Sequence, residues 1–318
     1  MTPQPVPSTE LLSIAPAPST GLRARILSNR PLLFGGVIVL LVFACAFLIP
    51  PLAGLDPYAV DSAKRLQPAS AAHLFGTDTF GRDLLARILV GASTSLIVGT
   101  SVAILSSLLG TVIGVLSSFF PRLDMILMRV CDGLMSIPAM LLAVALAASL
   151  GPSVPNLIIA LTIVFTPNVA RLVRSKAMSV KSEVFVEASL AQGAAPLHIM
   201  WRHILPNTLS VLAVQSTFIF ADSIITEAAL SFLGAGVPTP APSWGNILYD
   251  GKAVILQAPH MVVLGSVTLI ITVIGLNLLG DGLRDLVDRR STSASPGGAI
   301  ARLFGTAKST TRKNGASS

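Results

Sequence analysis

The sequence predicts an all-α integral membrane protein with six transmembrane helices. Of its 318 residues, 52% are hydrophobic and only 12% are charged, and the mean hydropathy is +0.76. A soluble core cannot enclose that much apolar surface. Because a hydrocarbon layer about 30 Å thick is crossed by about 20 helical residues, six apolar runs are predicted spans: 32–52, 92–120, 134–150, 154–170, 208–233 and 259–279.

The first of these runs has two features of a signal peptide. Three arginines precede it within residues 23–30, and Ala-Cys-Ala at 44–46 has the small-residue pattern of a cleavage site. The apolar run nevertheless continues to Leu52, and the segment before it is long for a leader. We therefore predict a retained anchor, a membrane domain over 31–290, and disordered tails at 1–30 and 291–318 because of their Pro, Ser, Thr and Gly content.

The distribution of lysine and arginine predicts the side of the membrane on which each loop lies. If the N-terminus is cytoplasmic, seventeen of the 22 basic residues fall in inner segments, and the outer loops hold only Lys64, Arg65, Arg82, Arg87 and Lys252. Inner loops of membrane proteins carry such an excess, so both termini are predicted to be cytoplasmic. The first outer loop is then 53–91, the inner loop is 171–207 and the last outer loop is 234–258.

Two carboxylates stand inside the fifth predicted span. The other five spans contain no Asp, Glu, Lys or Arg, whereas the fifth contains Asp222 and Glu227. A carboxylate near the bilayer centre costs about 2.5 to 3.5 kcal/mol on insertion scales, so it usually faces protein or water. Both residues are therefore candidates to line a translocation path or to form its gate. The alternative is a satisfied polar contact between helices or, for Glu227, at the outer interface.

The sequence lacks common enzyme signatures. It contains no H-E-x-x-H zinc motif, no G-x-S-x-G nucleophile elbow and no G-x-x-x-x-G-K-[ST] phosphate loop. We therefore expect no catalytic residue, no metal site and no cofactor in this chain. If ATP drives the protein, other chains are expected to bind the ATP and its Mg²⁺.

The inner loop interrupts the apolar spans with the more polar segment "VEASLAQGAAPLHIMWRHILPN" at 186–207. A first helix is predicted over 183–192, and Gly193 is predicted to end it at positive φ. Pro196 suits the first turn of a second helix, which Pro206 is predicted to end. That helix has His198 and Arg202 on one face and is predicted to carry an apolar stripe made of Leu197, Met200, Trp201 and Ile204. Such a segment either lies among lipid headgroups or presents its face to a partner protein.

Two residue pairs predict local contacts. Asp83 and Arg87 are spaced i, i+4 with the acid first, which favours an ion pair on a short helix that leads into the second span. The alternative is that these residues form only a solvated helical surface. Gly110 and Gly114 form a small-xxx-small pair, which permits close helix packing either within the chain or between subunits.

At the inner loop the chain resembles a known family, the permease subunits of binding-protein-dependent ABC importers. The spacing of their "EAA" loop is matched by Glu187, Ala188, Gly193, Leu205 and Pro206. Ser189 replaces the second alanine of that motif, and His203 stands in place of an isoleucine. The sequence "RHILPN" at 202–207 is similar to that of the dipeptide and oligopeptide permeases within this family. The histidine at 203 therefore indicates that branch of the family.

Three further stretches resemble the same branch. They are "HLFGTDTFGRDLLARILVGASTSL" at 73–96, "EAALSFLGAGVPTPAPSWGNIL" at 227–248 and "NLLGDGLRDLVDRR" at 277–290, with departures at Leu74, Phe75 and Arg289. Over roughly residues 30–290 the chain is therefore similar to the C-type inner-membrane permease subunit of a dipeptide or oligopeptide ABC importer. Importers of nickel, glutathione and other solutes are close relatives, so the resemblance leaves the substrate open.

The resemblance implies a type I importer permease (MetI-like) fold in the bacterial inner membrane, with a cytoplasmic coupling helix. The implied partners are a second permease subunit, two ATPases, an extracytoplasmic binding protein and membrane lipid, but no nucleic acid. The residues implied to couple to an ATPase are Glu187, Ala188, Gly193, Trp201, Arg202, His203, Leu205 and Pro206. The outer-loop candidates for contact with the binding protein are Asp78, Arg82, Asp83 and Trp244. The alternative for Trp244 is an anchor at the membrane interface.

A transporter that works alone on an ion gradient is the rival class. It predicts carboxylates or histidines in several spans, or an inverted repeat with broken helices, whereas the sequence shows Asp222 and no clear repeat. A membrane-anchored enzyme is a more distant alternative.

Overall fold

The computed structural model describes residues 26–294 of the chain, with side chains described as far as residue 287. Within that range the regular secondary structure is helical, and Thr77 and Asp83 form an isolated bridge in the loop between the first two helices. The helices are α1 (Arg30–Ala53), α2 (Leu84–Phe119), α3 (Pro121–Met135), α4 (Ala139–Leu150), α5 (Val154–Lys181), α6 (Val184–Ala191), α7 (Pro196–Ile199), α8 (Leu205–Phe232), α9 (Trp244–Lys252) and α10 (Pro259–Ala294). The tails predicted at 1–30 and 291–318 lie largely outside the described residues.

Five helical segments are long and apolar enough to cross a membrane. They are α1, α2, α5, the continuous stretch Pro196–Phe232 and the Pro259–Val287 part of α10. The predicted third span is instead a bent pair, because α3 and α4 meet at 95°. The protein thus has five spans, or six when the bent pair is counted as one.

The continuous third span predicted at 134–150 is therefore wrong in its form. Pro138 precedes α4, and a proline lacks the N–H that would extend the helix before it and disfavours helical backbone at the preceding residue. The 12 residues of α4 extend only about 18 Å, which is less than a hydrocarbon layer. Hydropathy alone did not reveal the bend, since the apolar window 134–150 contains only the last two residues of α3.

The second span begins earlier than predicted because of a side-chain cap. The carboxylate of Asp83 accepts a hydrogen bond from the backbone N–H of Ala86 at 2.8 Å, which starts α2 at Leu84 rather than at residue 92. The other oxygen of Asp83 lies 2.8 Å from His73 Nδ1. The predicted ion pair with Arg87 is not formed, because the Arg87 guanidinium pairs with Asp78 and Asp250 instead.

Helix α2 packs closely along α5, and glycine makes this possible. A Cβ atom at Gly114 would lie 2.7 Å from the carbonyl oxygen of Ala170 and 2.8 Å from the backbone nitrogen of Arg174, both in α5. Gly110 faces Val169 of the same helix. The close packing predicted for this glycine pair is confirmed, and it joins two helices of this chain.

Candidate coupling surface and translocation cleft

The first helix of the segment at 186–207 forms as the sequence predicts. Helix α6 covers Val184–Ala191 within the predicted range 183–192. Gly193 follows it with a φ of +80°, and a Cβ there would meet no atom within 4 Å. Only backbone conformation, and not a steric clash, therefore restricts this position to glycine. Pro196 opens α7, also as predicted.

The apolar stripe predicted for the second helix is divided between two faces. Met200 and Ile204 are buried together with Ile199, whereas Leu197 is 61% exposed and Trp201 is 71% exposed. The prediction assumed a helical period of 3.6 residues. The structure has a π-helical turn at Met200–Ile204, which adds residues to one turn and places Ile199 and Ile204 on the same buried face.

Pro206 does not end this helix, contrary to the prediction. The stretch Pro196–Phe232 is continuous through α7, the π-helical turn and α8, and Pro206 lies in the first turn of α8. Because the helix continues through Pro206, its missing N–H leaves one carbonyl of the preceding turn without its regular donor. The segment is nevertheless continuous with a membrane span.

The outward sides of α6 and α7 form one exposed surface, which we call the α6–α7 face. Its apolar members are Val184, Phe185, Leu190, Leu197 and Trp201. Glu187, Ala188, Gly193 and Arg202 are exposed beside them. The remaining predicted coupling residues lie at its edge, where Pro206 is exposed and both His203 and Leu205 are half-buried.

The opposite side of the same segment is anchored in the protein core. Val186, Ile199 and Ile204 are fully buried in one cluster with Val173 and Val180 of α5. The α6–α7 face is thus displayed on a support that connects directly to α5 and α8.

At the other end of the molecule, buried charges join two loops. The Asp78 carboxylate is fully buried, and one of its oxygens accepts hydrogen bonds from Arg82 Nε and from Arg87 Nη1, each at 2.6 Å. The Nη2 atoms of the same two arginines lie near Asp250 Oδ2 in α9, at 3.4 Å for Arg82 and 3.2 Å for Arg87. We call these four residues the Asp78 cluster. It ties the α1–α2 loop to the loop between α8 and α10.

Burial raises the pKa of the Asp250 carboxyl, while the neighbouring Arg82 guanidinium lowers it and the Asp78 carboxylate raises it further. Two carboxylates and two guanidiniums balance in the cluster, so no net charge is buried. Removal of one partner would leave an unbalanced charge out of contact with water.

Most of the residues predicted to contact a binding protein are structural in this conformation. Trp244 is fully buried, and Asp78 and Arg82 belong to the buried Asp78 cluster. Asp83 is partly exposed and holds His73. Their contact with a binding protein stays a prediction. The side chains exposed at this end include Leu74, Phe80 and Leu256.

Glu227 is fully buried and fully partnered. Its carboxylate accepts hydrogen bonds from Ser95 Oγ of α2 and from Ser231 Oγ of α8, both at 2.7 Å. Ser95 Oγ also accepts the backbone N–H of Trp244 at 3.4 Å. Glu227 thus fits the alternative stated for it, a satisfied polar contact between helices, and a role as a gate stays a prediction.

Asp222 is different, because its side chain is exposed on α8. Its carboxylate has no hydrogen bond or ion pair with any residue in the described part of the chain. Such an exposed charge in an apolar helix needs water or another polar group beside it.

A cleft of about 370 Å³ lies between α2 and α8, on the same span as Asp222. Hydroxyl groups are its only polar lining, and they belong to Thr100, Ser107, Ser216 and Thr217. Ser107 Oγ and Ser216 Oγ are 2.8 Å apart and link the two helices. The hydroxyl of Thr100 is buried without a hydrogen-bond partner, and the surface that the cleft presents is mostly apolar.

Comparison with known proteins identifies the family. A family model described as the inner membrane component of binding-protein-dependent transport systems matches residues 106–293, which is more than half of the chain. The chain belongs to this family. It is therefore an integral membrane permease subunit, as the sequence motifs predicted.

Curated relatives cover almost the whole permease. It is 46% identical over 284 residues to a probable peptide ABC transporter permease protein of Sinorhizobium fredii, with 89% of this chain and 98% of the relative covered. It is 42% identical over 283 residues to a putative peptide transport system permease protein of Brucella abortus, with 89% and 96% covered.

A solved structure supports the fold. A chain in an inward-facing structure of the MetNI methionine ABC transporter superimposes with a TM-score of 0.54 at 23% identity, covering 64% of the permease and 96% of that chain. This likeness concerns the fold alone and confirms the predicted class, a helical importer permease.

Sequence reasoning missed the hydroxyl residues of the permease. Ser95 and Ser231 hold Glu227, and Ser107 and Ser216 join the walls of the cleft. Serine is common in membrane helices, so composition did not distinguish these four residues from the serines that bond only to their own helix. Ser231 lies four residues after Glu227 on α8, so helix spacing could have found that contact. The contacts of Ser95, Ser107 and Ser216 emerge only when α2 and α8 are packed together.

Proposed function

We propose that this permease forms one half of the translocation path of an ATP-driven importer of dipeptides or oligopeptides, and that the α6–α7 face couples it to a separate ATPase subunit. The single observation that carries the proposal is that face itself. Five large apolar side chains are exposed there beside the motif residues Glu187 and Gly193, on a support that is buried in the core.

A protein partner accounts for this face better than lipid headgroups do. Exposed contiguous apolar side chains commonly mark interaction sites, and lipid would also accept them. However, two exposed glutamates stand among the apolar residues, Glu183 directly before α6 and Glu187 within it. The cytoplasmic leaflet is negatively charged and repels carboxylates, whereas a groove on a protein can supply cations to pair with them.

The attachment of the α6–α7 face to the core and to α8 gives a route by which a displacement of the face would reach the membrane spans. Val186, Ile199 and Ile204 fix the face to the core beside α5. The stretch Pro196–Phe232 then continues as α8, which provides one wall of the α2–α8 cleft. A displacement of the face is therefore carried into the wall of the proposed path. This chain supplies no nucleotide chemistry, since ATP and Mg²⁺ are bound by the partner ATPases.

The cleft between α2 and α8 is the proposed path surface, completed by a second permease subunit. Its lining is uncharged and mostly apolar, and the hydroxyl groups of Ser216 and Thr217 are bonded to their own helix, so the cleft offers a surface without charge to a substrate. The exposed carboxylate of Asp222 on α8 is a further candidate for that path. The peptide class of substrate is supported by the names of the relatives from Sinorhizobium fredii and Brucella abortus.

We expect the purified permease alone to hydrolyse no ATP, because the nucleotide site belongs to a partner. Reconstituted with its ATPases, second permease subunit and binding protein, it should take up a labelled dipeptide only when ATP is supplied. The measurement is uptake into proteoliposomes beside phosphate release. Uptake by the isolated permease that follows an ion gradient without ATP would instead establish the rival secondary transporter.

We further propose that both termini and the α6–α7 face are cytoplasmic, as the basic residues predict. In a variant lacking the native thiols of Cys45 and Cys131, an impermeant thiol reagent applied to intact cells should label cysteines placed at Ser70 and Pro240. It should not label cysteines at Ser182 and Ser295 until the cells are opened. Labelling of Ser182→Cys in intact cells would show that the topology is the reverse of the proposed one. The α6–α7 face would then lie outside the cell, where it could not meet a cytoplasmic ATPase.

A further inference from the structure

The joint between α7 and α8 departs from regular helix geometry. At this joint the backbone N–H of Leu205 donates to the carbonyl of Met200, five residues earlier, within the π-helical turn Met200–Ile204. Single π-helical turns inside α-helices are rare and frequently lie at functional sites. This one separates the α6–α7 face from the membrane span.

The next residue weakens the backbone of the joint further. Pro206 has no N–H, so one carbonyl in the preceding turn loses its regular donor. The side chain of Asn207 adds a bond nearby, because its Nδ2 donates to the carbonyl oxygen of His203, four residues earlier, at 2.6 Å. A side chain in the first turn of α8 is thus tied to a carbonyl within the π-helical turn.

The residue held by Asn207 also touches α6. The ring of His203 lies 5.7 Å from the ring of Phe185 in α6 and 6.2 Å from that of His198 in α7. Beside it, Ile204 is fully buried in the core. His203 is therefore connected through its ring to the α6–α7 face and through its carbonyl to α8.

We infer that Asn207 and His203 are positioning residues that fix the angle between the α6–α7 face and α8. This inference rests on the proposed function. A joint built from a π-helical turn and a proline has fewer regular backbone bonds than a continuous α-helix, so displacement of the face would be absorbed by bending there. The Asn207 bond and the packing of His203 against Phe185 brace the joint, so that the displacement moves α8 and its cleft residues Ser216 and Thr217.

The test compares Asn207→Leu with Asn168→Leu in the fully assembled transporter in proteoliposomes. Leucine is close to asparagine in size but has no donor. Asn168 is also exposed on a long helix, and its side chain has no hydrogen bond in the described part of the chain. For Asn207→Leu we expect ATPase retention and the rate of ATP hydrolysis to stay normal, while dipeptide transported per ATP falls about threefold or more. Asn168→Leu should leave that ratio unchanged.

A second pair of variants examines the ring contact. His203→Phe keeps an aromatic ring against Phe185 and should preserve the ratio of dipeptide to ATP, whereas His203→Ala should lower it as Asn207→Leu does. An unchanged ratio in Asn207→Leu, with normal ATP-driven uptake by the unaltered transporter, overturns the positioning role and leaves the proposed function intact. Loss of ATPase retention in Asn207→Leu also overturns it, because the residue would then serve docking.

Discussion

Replacing Gly193 with valine is expected to abolish ATP-driven uptake while the permease still inserts into the membrane at normal abundance. Gly193 has a φ of +80°, a conformation that a β-branched residue disfavours by about 1 kcal/mol or more. No neighbouring atom lies within 4 Å of the added Cβ, so the variant re-aims α7 without a clash in the core. The α6–α7 face then loses the arrangement that a partner would recognise.

The measurement is co-purification of the ATPase beside uptake in vesicles, with membrane abundance as the internal reference. Gly133→Val is a matched control, because a Cβ at Gly133 also meets nothing within 4 Å but the residue lies inside α3. Glu187→Lys probes the same face by reversing charge without backbone strain, and it should lose uptake with a smaller loss of ATPase. Full uptake by Gly193→Val and Glu187→Lys at normal abundance would contradict coupling through this face.

Replacing Asp78 with asparagine is expected to lower the free energy of unfolding by about 3 to 5 kcal/mol, the usual cost of removing one partner from a buried ion pair. The Asp78 carboxylate is fully buried against Arg82 and Arg87. Asparagine keeps the shape but removes the charge, which leaves two buried guanidiniums with only Asp250 to balance them. Such a loss is a large part of the stability of an ordinary domain.

Unfolding of the detergent-solubilised permease by heat or denaturant measures this effect. Asp56→Asn provides the comparison, since Asp56 is an exposed aspartate in the same loop and exposed charges contribute at most about 1 kcal/mol. An Asp78→Asn variant as stable as Asp56→Asn would show that the Asp78 cluster does not hold the two loops together. That result would favour the other predicted role of Asp78, which is contact with a binding protein.

The helices that were predicted well are those in which a local rule and the tertiary structure agree. Gly193 and Pro196 mark the end of α6 and the start of α7 as expected, because positive φ and a missing N–H act within one or two residues. The glycine pair in α2 was also interpreted correctly, since small residues one turn apart favour close packing wherever a second helix exists.

The predictions that were wrong concern residues whose partners lie on another segment or whose helix is irregular. Asp83 has the right spacing for Arg87, yet its oxygens bind the N-terminus of α2 and His73, while Arg87 turns to Asp78 and Asp250. Trp201 fits an apolar stripe of period 3.6, but the π-helical turn rotates it outward. Neither outcome follows from spacing, because each depends on residues far away in sequence or on a backbone irregularity.

By itself the sequence determined that the protein is a helical membrane protein and that it carries the motifs of an importer permease, because apolar length and motif spacing are local properties of the chain. Only the tertiary structure decided which residues are displayed and which are buried. Glu187 and Trp201 are exposed, whereas Asp78, Glu227 and Trp244 are enclosed. The physical reason is that burial, the partners of a charge and the walls of the α2–α8 cleft arise from contacts between helices that are distant along the chain.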